Sequence, residues 1–183
     1  MSSPRSAEER LGHGDGLALD RMPLAPPAAL RLVLDTNVWL DLLVFSDPRC
    51  APLRAALADR RVCALLDAHC HAEWQRVLAY PTLRLDEARQ AQLAAAQRAH
   101  AVWIESADSG PQPAVPLPRC RDGDDQKFLQ LAESGEAHAL LSRDQALLEL
   151  DRRLRKQGRF VVLGPEGFDD WLQSRLAAGP AGI

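Results

Sequence analysis

Short apolar runs alternate with helix-like segments along most of the chain, and this alternation is the strongest constraint on the fold. The runs at 30–34, 62–66, 102–104, 137–141 and 160–163 have the length and character of buried strands. Stretches of helix-forming composition separate them. This order is typical of parallel sheets that are covered by helices and joined by right-handed crossovers. We therefore predict an α/β protein, a three-layer α/β/α sandwich with a central, mostly parallel sheet of about five strands.

Capping and charge patterns predict several of the helices. Asp67 directly follows an apolar run and is a plausible N-cap for a helix that carries Glu73 in its second turn. The Ala-, Gln- and Arg-rich run at 86–101 has strong helix propensity. The acidic residues at 122–125 suit the positive end of the helix dipole and predict another helix start. A last helix is expected over 165–176.

The length of 183 residues suits one domain. Residues 1–29 are rich in Ser, Pro, Gly, Arg and Glu and predict a flexible tail. The domain itself is expected over 30–176, with residues 177–183 as a C-terminal tail. Four prolines and a glycine between 109 and 118 predict an extended loop inside the domain.

Charge and hydropathy exclude some classes of protein. The formal net charge of −3 is not the strongly basic balance that is typical of nucleic-acid binding, although a cluster of carboxylates would itself lower the net charge. The apolar runs are much shorter than the roughly 20 residues of a membrane-spanning helix, and no signal-peptide pattern follows the charged start. Four sparse cysteines do not form a disulfide framework. We expect a cytoplasmic protein with reduced thiols.

Four acidic residues lie at corresponding places in successive strand–helix units. Asp35 and Asp144 follow apolar runs, and Glu73 and Asp125 lie near the starts of predicted helices. In open α/β sheets these places converge outside the carboxyl ends of the strands. Crowded carboxylates repel unless a proton or a cation intervenes, and an all-oxygen set suits Mg²⁺ or Mn²⁺. Such a centre suits in-line attack of water on a phosphodiester, which would leave 5′-phosphate and 3′-hydroxyl ends.

Each acid also has a purely structural interpretation. Asp35 and Asp125 could cap helices, Glu73 could be a solvated helix position, and Asp144 could be a turn residue. Metal binding is therefore predicted from the four acids taken together. Asn37 and Ser142 suit either helix capping or support of the acids by hydrogen bonds. Two cysteines and two histidines lie close together in sequence, but their spacing matches no zinc site. We therefore predict that they pack in the core or on the surface and do not bind zinc; they are Cys63, His69, Cys70 and His71.

Four sequence segments resemble the PIN-domain ribonucleases, and most closely the branch of toxin components of toxin-antitoxin systems. The segments are Leu-Asp-Thr-Asn-Val-Trp-Leu at 34–40, Glu-Trp-Gln-Arg-Val-Leu at 73–78, Cys-Arg-Asp-Gly-Asp-Asp-Gln-Lys-Phe-Leu-Gln-Leu-Ala at 120–132 and Leu-Leu-Ser-Arg-Asp at 140–144. They occur in the family's order. The stretch Phe-Val-Val-Leu-Gly-Pro-Glu-Gly-Phe at 160–168 is similar to the family's last strand and helix.

The resemblance implies a PIN-like fold and an endoribonuclease that uses Mg²⁺ or Mn²⁺. It implies Asp35, Glu73, Asp125 and Asp144 as catalytic metal ligands. Asp122, Asp124 and Asp125 compete for the third acidic position; Asp125 is preferred because it places Ala132 where the family has a small residue. The implied supporting residues are Asn37, Ser142 and Asp124. The implied partners are an RNA substrate, a small antitoxin that blocks the acidic pocket, and a second copy in a homodimer.

Basic residues offer candidate contacts for RNA phosphates. The candidates are Arg143, Arg152 and Arg153, the last two in a basic cluster that also suits a solvated helix face.

Two rival functions stay open. One is a non-catalytic nucleic-acid-binding or regulatory module with the same fold. The other is a phosphatase or receiver-like domain with an Asp phosphoryl acceptor, for which the lysines, Lys127 and Lys156, are poorly placed because neither follows a strand.

Overall fold

A computed structural model of the protein describes residues 29–105 and 115–178. The strands of this part are β1 (Leu30–Leu34), β2 (Val62–Leu66), β3 (Ala101–Trp103), β4 (Ala139–Leu141) and β5 (Val161–Leu163). The helices are α1 (Thr36–Leu43), α2 (Ala51–Ala58), α3 (Ala68–Leu78), α4 (Glu87–His100), α5 (Gln126–Ser134), α6 (Gln145–Leu148), α7 (Asp151–Lys156) and α8 (Phe168–Ala178). Short 3₁₀ turns lie at Pro48–Cys50, Pro81–Leu83 and Pro165–Gly167.

The strands form one sheet in the order β3-β2-β1-β4-β5, and every neighbouring pair is parallel. The chain builds outward from β1 in one direction through β2 and β3, and then returns to place β4 on the other side of β1. The order therefore reverses between β1 and β4, which is where open α/β sheets form a crevice at their carboxyl edge. The predicted five-stranded parallel sheet flanked by helices is confirmed.

The sheet is the centre of the hydrophobic core. All five residues of β2 and all three residues of β4 are buried, as expected for parallel strands that have helices on both faces. Trp39 and Trp74 fill the core, with 1% and 0% of their surface exposed, and Trp103 is partly buried. These side chains hold α1 and α3 in fixed positions, and both helices begin at the carboxyl edge of the sheet.

Several predicted boundaries were wrong by one to three residues, and three of them are informative. Strand β4 begins at Ala139 rather than 137, because the Ala137 N–H donates to the Ala132 carbonyl oxygen at 2.8 Å and closes the end of α5. Ala101 belongs to β3 and not to the preceding helix, since it pairs with Ala64 of β2. The last helix starts with a 3₁₀ turn, and α8 then continues to Ala178.

The cysteine and histidine residues near α3 differ in burial. Cys63 and Cys70 are buried free thiols. His71 is buried with its Nδ1 atom 2.8 Å from the Gln97 Oε1 atom, whereas His69 is exposed on another face of the same helix. The two histidines therefore lie in different environments.

Some predictions fall on parts of the chain outside the described residues. These are the predicted tail at 1–29, apart from Ala29, and most of the predicted loop at 109–118. The described end of that loop, residues 115–118, is neither helix nor strand. Residues 179–183 are also outside. Within residues 29–105 and 115–178, no helix combines the length and the apolar character needed to cross a membrane.

Candidate functional site

The crevice between β1 and β4 brings Asp35 and Ser142 together across 107 positions of sequence. Leu34 and Leu141 are register partners at the ends of these strands, so the residues that follow them are neighbours. The Asp35 backbone N–H donates to the Leu141 carbonyl oxygen at 3.0 Å. The Ser142 hydroxyl donates to Asp35 Oδ2. A buried serine thus anchors the buried carboxylate.

Asp35 is also the N-cap of α1. Its Oδ1 atom accepts a hydrogen bond from the Asn37 backbone N–H, so both carboxylate oxygens have partners. Only 3% of the residue is exposed, and this burial raises the pKa of Asp35 above its ordinary value. Hydrogen bonds from Ser142, Asn37 and Val38 oppose the increase, and the charge of Glu73 adds to it. Asp35 therefore has one fixed orientation and an electrostatic connection to Glu73.

Asp144 joins the same group through Ser142. Its backbone N–H donates to Ser142 Oγ at 2.9 Å. Its Oδ1 atom accepts from the Ala146 N–H at 2.6 Å and caps α6. The Ser142 hydroxyl therefore donates to one candidate acid and accepts from the backbone of the other. The capping role predicted for Asp35 is confirmed, and Asp144, predicted as a turn residue, also caps a helix; both roles coexist with a position at the crevice.

Glu73 reaches the site from the second turn of α3. Its Oε1 atom accepts a hydrogen bond of 2.9 Å from the Thr36 hydroxyl, directly beside Asp35. Its Oε2 atom is buried and accepts no well-aligned hydrogen bond, but lies against the ammonium of Lys127. Glu73 thereby connects three elements, α1, α3 and α5. It is not the solvated helix position that was one interpretation of the sequence.

Asp125 precedes α5, yet its side chain makes no capping hydrogen bond. Helix capping therefore does not account for this residue. Burial, followed by the charges of Asp35, Asp144 and Asp122, raises the pKa of Asp125 from 3.8 to about 6, and the charge of Lys127 opposes the increase. Asp125 thus interacts electrostatically with two other candidate acids. Asp122 and Asp124 are exposed, and Asp122 Oδ1 accepts from the Asp124 N–H at 2.9 Å in a local turn.

We expect Asp125→Asn to raise the midpoint of thermal unfolding at neutral pH when no divalent ion is present. The raised pKa corresponds to a penalty on the order of 1–3 kcal/mol, and each kcal/mol shifts the midpoint by about 2–4 °C in a domain of this size. The penalty is complete above the folded-state pKa of about 6 and disappears as pH falls toward 3.8. The gain should therefore shrink between those two values.

Calorimetric scans of the wild type and the variant in chelator, at several pH values, measure this effect. Asp59→Asn is the matched control, because Asp59 is exposed at the amino end of β2 and pairs with Arg61 at 3.4 Å. The control should show no gain that depends on pH in this range. An Asp125→Asn protein no more stable than the wild type at neutral pH would mean that its carboxylate is not crowded.

The acids could hold a hard dication, although the described residues contain no group of three His, Cys, Asp or Glu side chains arranged to bind one as they stand. The donor set is all oxygen, which is the set that Mg²⁺ and Mn²⁺ prefer. Asp125 is a carboxyl whose charged form is disfavoured by burial and by the charges of its neighbours. This feature fits a cation, because positive charge relieves it. Glu73 Oε2 is buried as well, but the Lys127 ammonium already supplies positive charge beside it.

The three candidate RNA contacts lie in different surroundings. The Arg143 guanidinium pairs with Asp41 at 2.8 Å and with Asp47 at 4.0 Å, so it is already engaged by α1 and the loop that follows. Arg152 and Arg153 are exposed on α7, which packs against the edge strand β5. The structure thus brings Asp35, Glu73, Asp125, Asp144 and Ser142 together at the crevice, and puts Arg152 and Arg153 at the flank of the sheet.

Sequence reasoning missed two residues of the site, Thr36 and Lys127. Thr36 was part of the segment at 34–40 without an assigned role in the site, but its hydroxyl donates a hydrogen bond to Glu73. Lys127 was weighed only as the partner lysine of a phosphoryl acceptor, and its ammonium contact with Glu73 Oε2 was not predicted. One signal could have found it. Lys127 is the second residue of α5, and a cation is disfavoured there by the helix dipole unless something nearby compensates.

Comparison with known proteins supports one family. The family model described as PIN domain matches residues 31–146, which is more than half of the chain. The matched range runs from β1 to the start of α6 and includes all four candidate acids. No curated protein sequence matches the chain. With its five-stranded parallel sheet and this match, the chain belongs to the PIN domain family.

Proposed function

We propose that this protein is a metal-dependent endoribonuclease whose centre consists of Asp35, Glu73, Asp125 and Asp144. PIN domains are generally nucleases, and the chain has that nuclease-type fold. The observation that carries the proposal is electrostatic. Burial and the charges of Asp35 and Asp144 together hold the pKa of Asp125 near 6, so carboxylates from three separate segments share one crevice.

Asp35 and Asp144 are the central ligands in this proposal, and Glu73 and Asp125 complete the site. When bound, Mg²⁺ or Mn²⁺ would supply positive charge to the phosphate oxygens. Ser142 and the Asn37 N–H hold the Asp35 carboxylate in one orientation, which favours a preorganised site. Asn37 is itself exposed beside the crevice and is proposed as a supporting residue, as is Asp124.

The proposed reaction is in-line hydrolysis. A water oxygen forms a bond to phosphorus and the bond to the 3′-oxygen breaks, which leaves a 5′-phosphate and a 3′-hydroxyl. Asp125 is suited to orient the water and take up its proton, because it is half-buried and makes no capping bond to its own helix. The 3′-oxygen takes up a proton as it leaves. Arg143, Arg152 and Arg153 are proposed contacts for the RNA backbone.

The proposed test uses the full chain and a labelled RNA with single-stranded and hairpin segments. We expect internal cleavage with Mg²⁺ or Mn²⁺, fragments with 5′-phosphate ends, and complete loss of cleavage in chelator. Asp144→Asn should also lose cleavage, while its side-chain oxygen can still cap α6. DNA of the same sequence serves as the substrate control.

Three outcomes would count against this function. Cleavage that persists in chelator would indicate a contaminating or metal-independent nuclease. No cleavage, together with no Mn²⁺ binding that depends on Asp144 in calorimetry, would favour the non-catalytic nucleic-acid-binding module. Trapping of an acylphosphate would favour the phosphatase or receiver-like alternative.

We further propose that the protein is the toxin of a toxin-antitoxin pair in the cytoplasm, and that a small antitoxin protein covers the acidic crevice. A buried group of carboxylates suits an inhibitor that presents an arginine, because an arginine forms bidentate pairs with carboxylates. A homodimer is part of the same proposal. Growth arrest on expression of the wild type, but not of Asp144→Asn, is the expected result. Equal growth would remove the toxin role and leave the nuclease proposal untouched.

A further inference from the structure

Lys127 brings a positive charge into the group of acids. Its ammonium contacts Glu73 Oε2 and donates a hydrogen bond to the Asp124 carbonyl oxygen. The ammonium also lies 4.9 Å from the centroid of the Phe128 ring. The Lys127 and Glu73 side chains are only 18% and 15% exposed, so solvent screens their attraction weakly. The pair is therefore largely shielded from solvent, unlike a surface ion pair.

Lys127 occupies a place in α5 where a positive charge is normally unfavourable. As the second residue of the helix it lies at the positive end of the helix dipole, which disfavours a cation. The ion pair with Glu73 and the hydrogen bond to Asp124 offset that cost. Glu73 is therefore held from both sides, by the Thr36 hydroxyl on Oε1 and by Lys127 on Oε2.

The site consequently has two unlike halves. In one half, the charges of Asp35 and Asp144 crowd Asp125, and the charge of Lys127 offsets this crowding only in part, because the pKa of Asp125 is still raised. In the other half, Glu73 already has a cation of its own. A nuclease site that uses two divalent ions needs a place for each of them, about 3.5–4 Å apart. Here the Lys127 ammonium already contacts Glu73 Oε2, the oxygen that a second ion would need as a ligand.

We propose that Lys127 is a built-in cation that replaces a second divalent ion, so that the site binds a single ion among Asp35, Asp125 and Asp144. Lys127 is a positioning residue: it holds Glu73 and supplies positive charge that would otherwise come from a metal. The inference depends on the proposed metal-dependent function, and it specifies how many ions that function uses. One dication and one ammonium supply three positive charges against four carboxylates.

The test counts Mn²⁺ ions in the full-length protein by titration calorimetry and electron paramagnetic resonance. We expect the wild type to bind one ion with the six-line spectrum of isolated Mn²⁺. Lys127→Met keeps an unbranched side chain that is one atom shorter and removes its charge, so a second ion should bind at Glu73 and the two ions should broaden the spectrum. Lys127→Arg keeps the charge and should bind one ion.

The chain offers a matched control, because its other lysine, Lys156, is exposed on α7. Lys156→Met removes the same charge away from the crevice and should still bind one ion. A wild-type spectrum of two coupled ions would overturn the proposal, even if Lys127→Met failed to fold. Folding of each variant is checked by circular dichroism.

The outcomes also separate this inference from the proposed function. If wild type and Lys127→Met both bind one ion with equal affinity, Lys127 does not act as a cation in place of metal, and the metal-dependent function stands. If only Lys127→Met binds Mn²⁺, the wild-type site holds no ion, and both the single-ion site and the metal-dependent function of the wild type fall. If neither binds Mn²⁺, both fall.

Discussion

Asp35→Asn is expected to lower metal-dependent RNA cleavage by about 10³-fold or more, because several kcal/mol of transition-state stabilisation depend on the cation that Asp35 helps to hold. The fold should survive. The asparagine oxygen can still accept from the Asn37 N–H, and its NH₂ group can donate to Ser142 Oγ in place of the present bond. Removal of a buried carboxylate whose pKa burial has raised should not lower stability at neutral pH.

Single-turnover cleavage at saturating Mn²⁺, beside a thermal scan of the same sample, measures both effects. Asp59→Asn makes the same chemical change at the amino end of the sheet and should keep wild-type activity. If Asp35→Asn cleaved RNA at the wild-type rate, Asp35 would have no part in the reaction. Loss of activity with a collapsed thermal transition would instead mean that the residue is needed only for folding.

Trp74→Ala is expected to lower the free energy of unfolding by roughly 3–5 kcal/mol. Trp74 has 0% of its surface exposed, and its Nε1–H donates to the Leu93 carbonyl oxygen of α4 at 3.3 Å. The substitution removes a large apolar group and leaves that buried carbonyl without its side-chain donor. Because Trp74 is adjacent to Glu73 on α3, the position of Glu73 should loosen as well.

Urea titration followed by circular dichroism measures the loss. Tyr80 provides the comparison, since it lies just beyond the same helix and is 46% exposed; Tyr80→Ala should cost no more than about 0.5 kcal/mol. A Trp74→Ala protein within 1 kcal/mol or so of the wild type would show that α3 and α4 can repack around the missing ring.

The local pattern of the chain predicted the elements well. The apolar run at 30–34 is β1 and the run at 62–66 is β2, with the predicted bounds. Asp67 caps α3 through a 2.8 Å bond from the Cys70 N–H, as its position after a strand predicted. These predictions succeeded because burial, helix capping and strand periodicity depend on residues that are close in sequence.

The candidate site was less predictable. Asp125 lies among other carboxylates instead of capping its helix. Its pKa depends on the charges of Asp35, which follows β1, and of Asp144, which follows β4. The contact of Lys127 with Glu73 joins the start of α5 to the middle of α3. No spacing rule connects such distant positions, because their side chains meet only when the helices pack on the sheet.

The sequence by itself determined the alternation of strands and helices, the placement of acids after strands and near helix starts, and therefore the class of fold. Only the tertiary structure decided that β4 returns beside β1, that Ser142 joins Asp35 to Asp144, and that Lys127 pairs with Glu73. The physical reason is the distance along the chain over which each kind of interaction acts. Backbone periodicity acts over a few residues, whereas burial and Coulomb interactions act between whatever surfaces the packed sheet brings together.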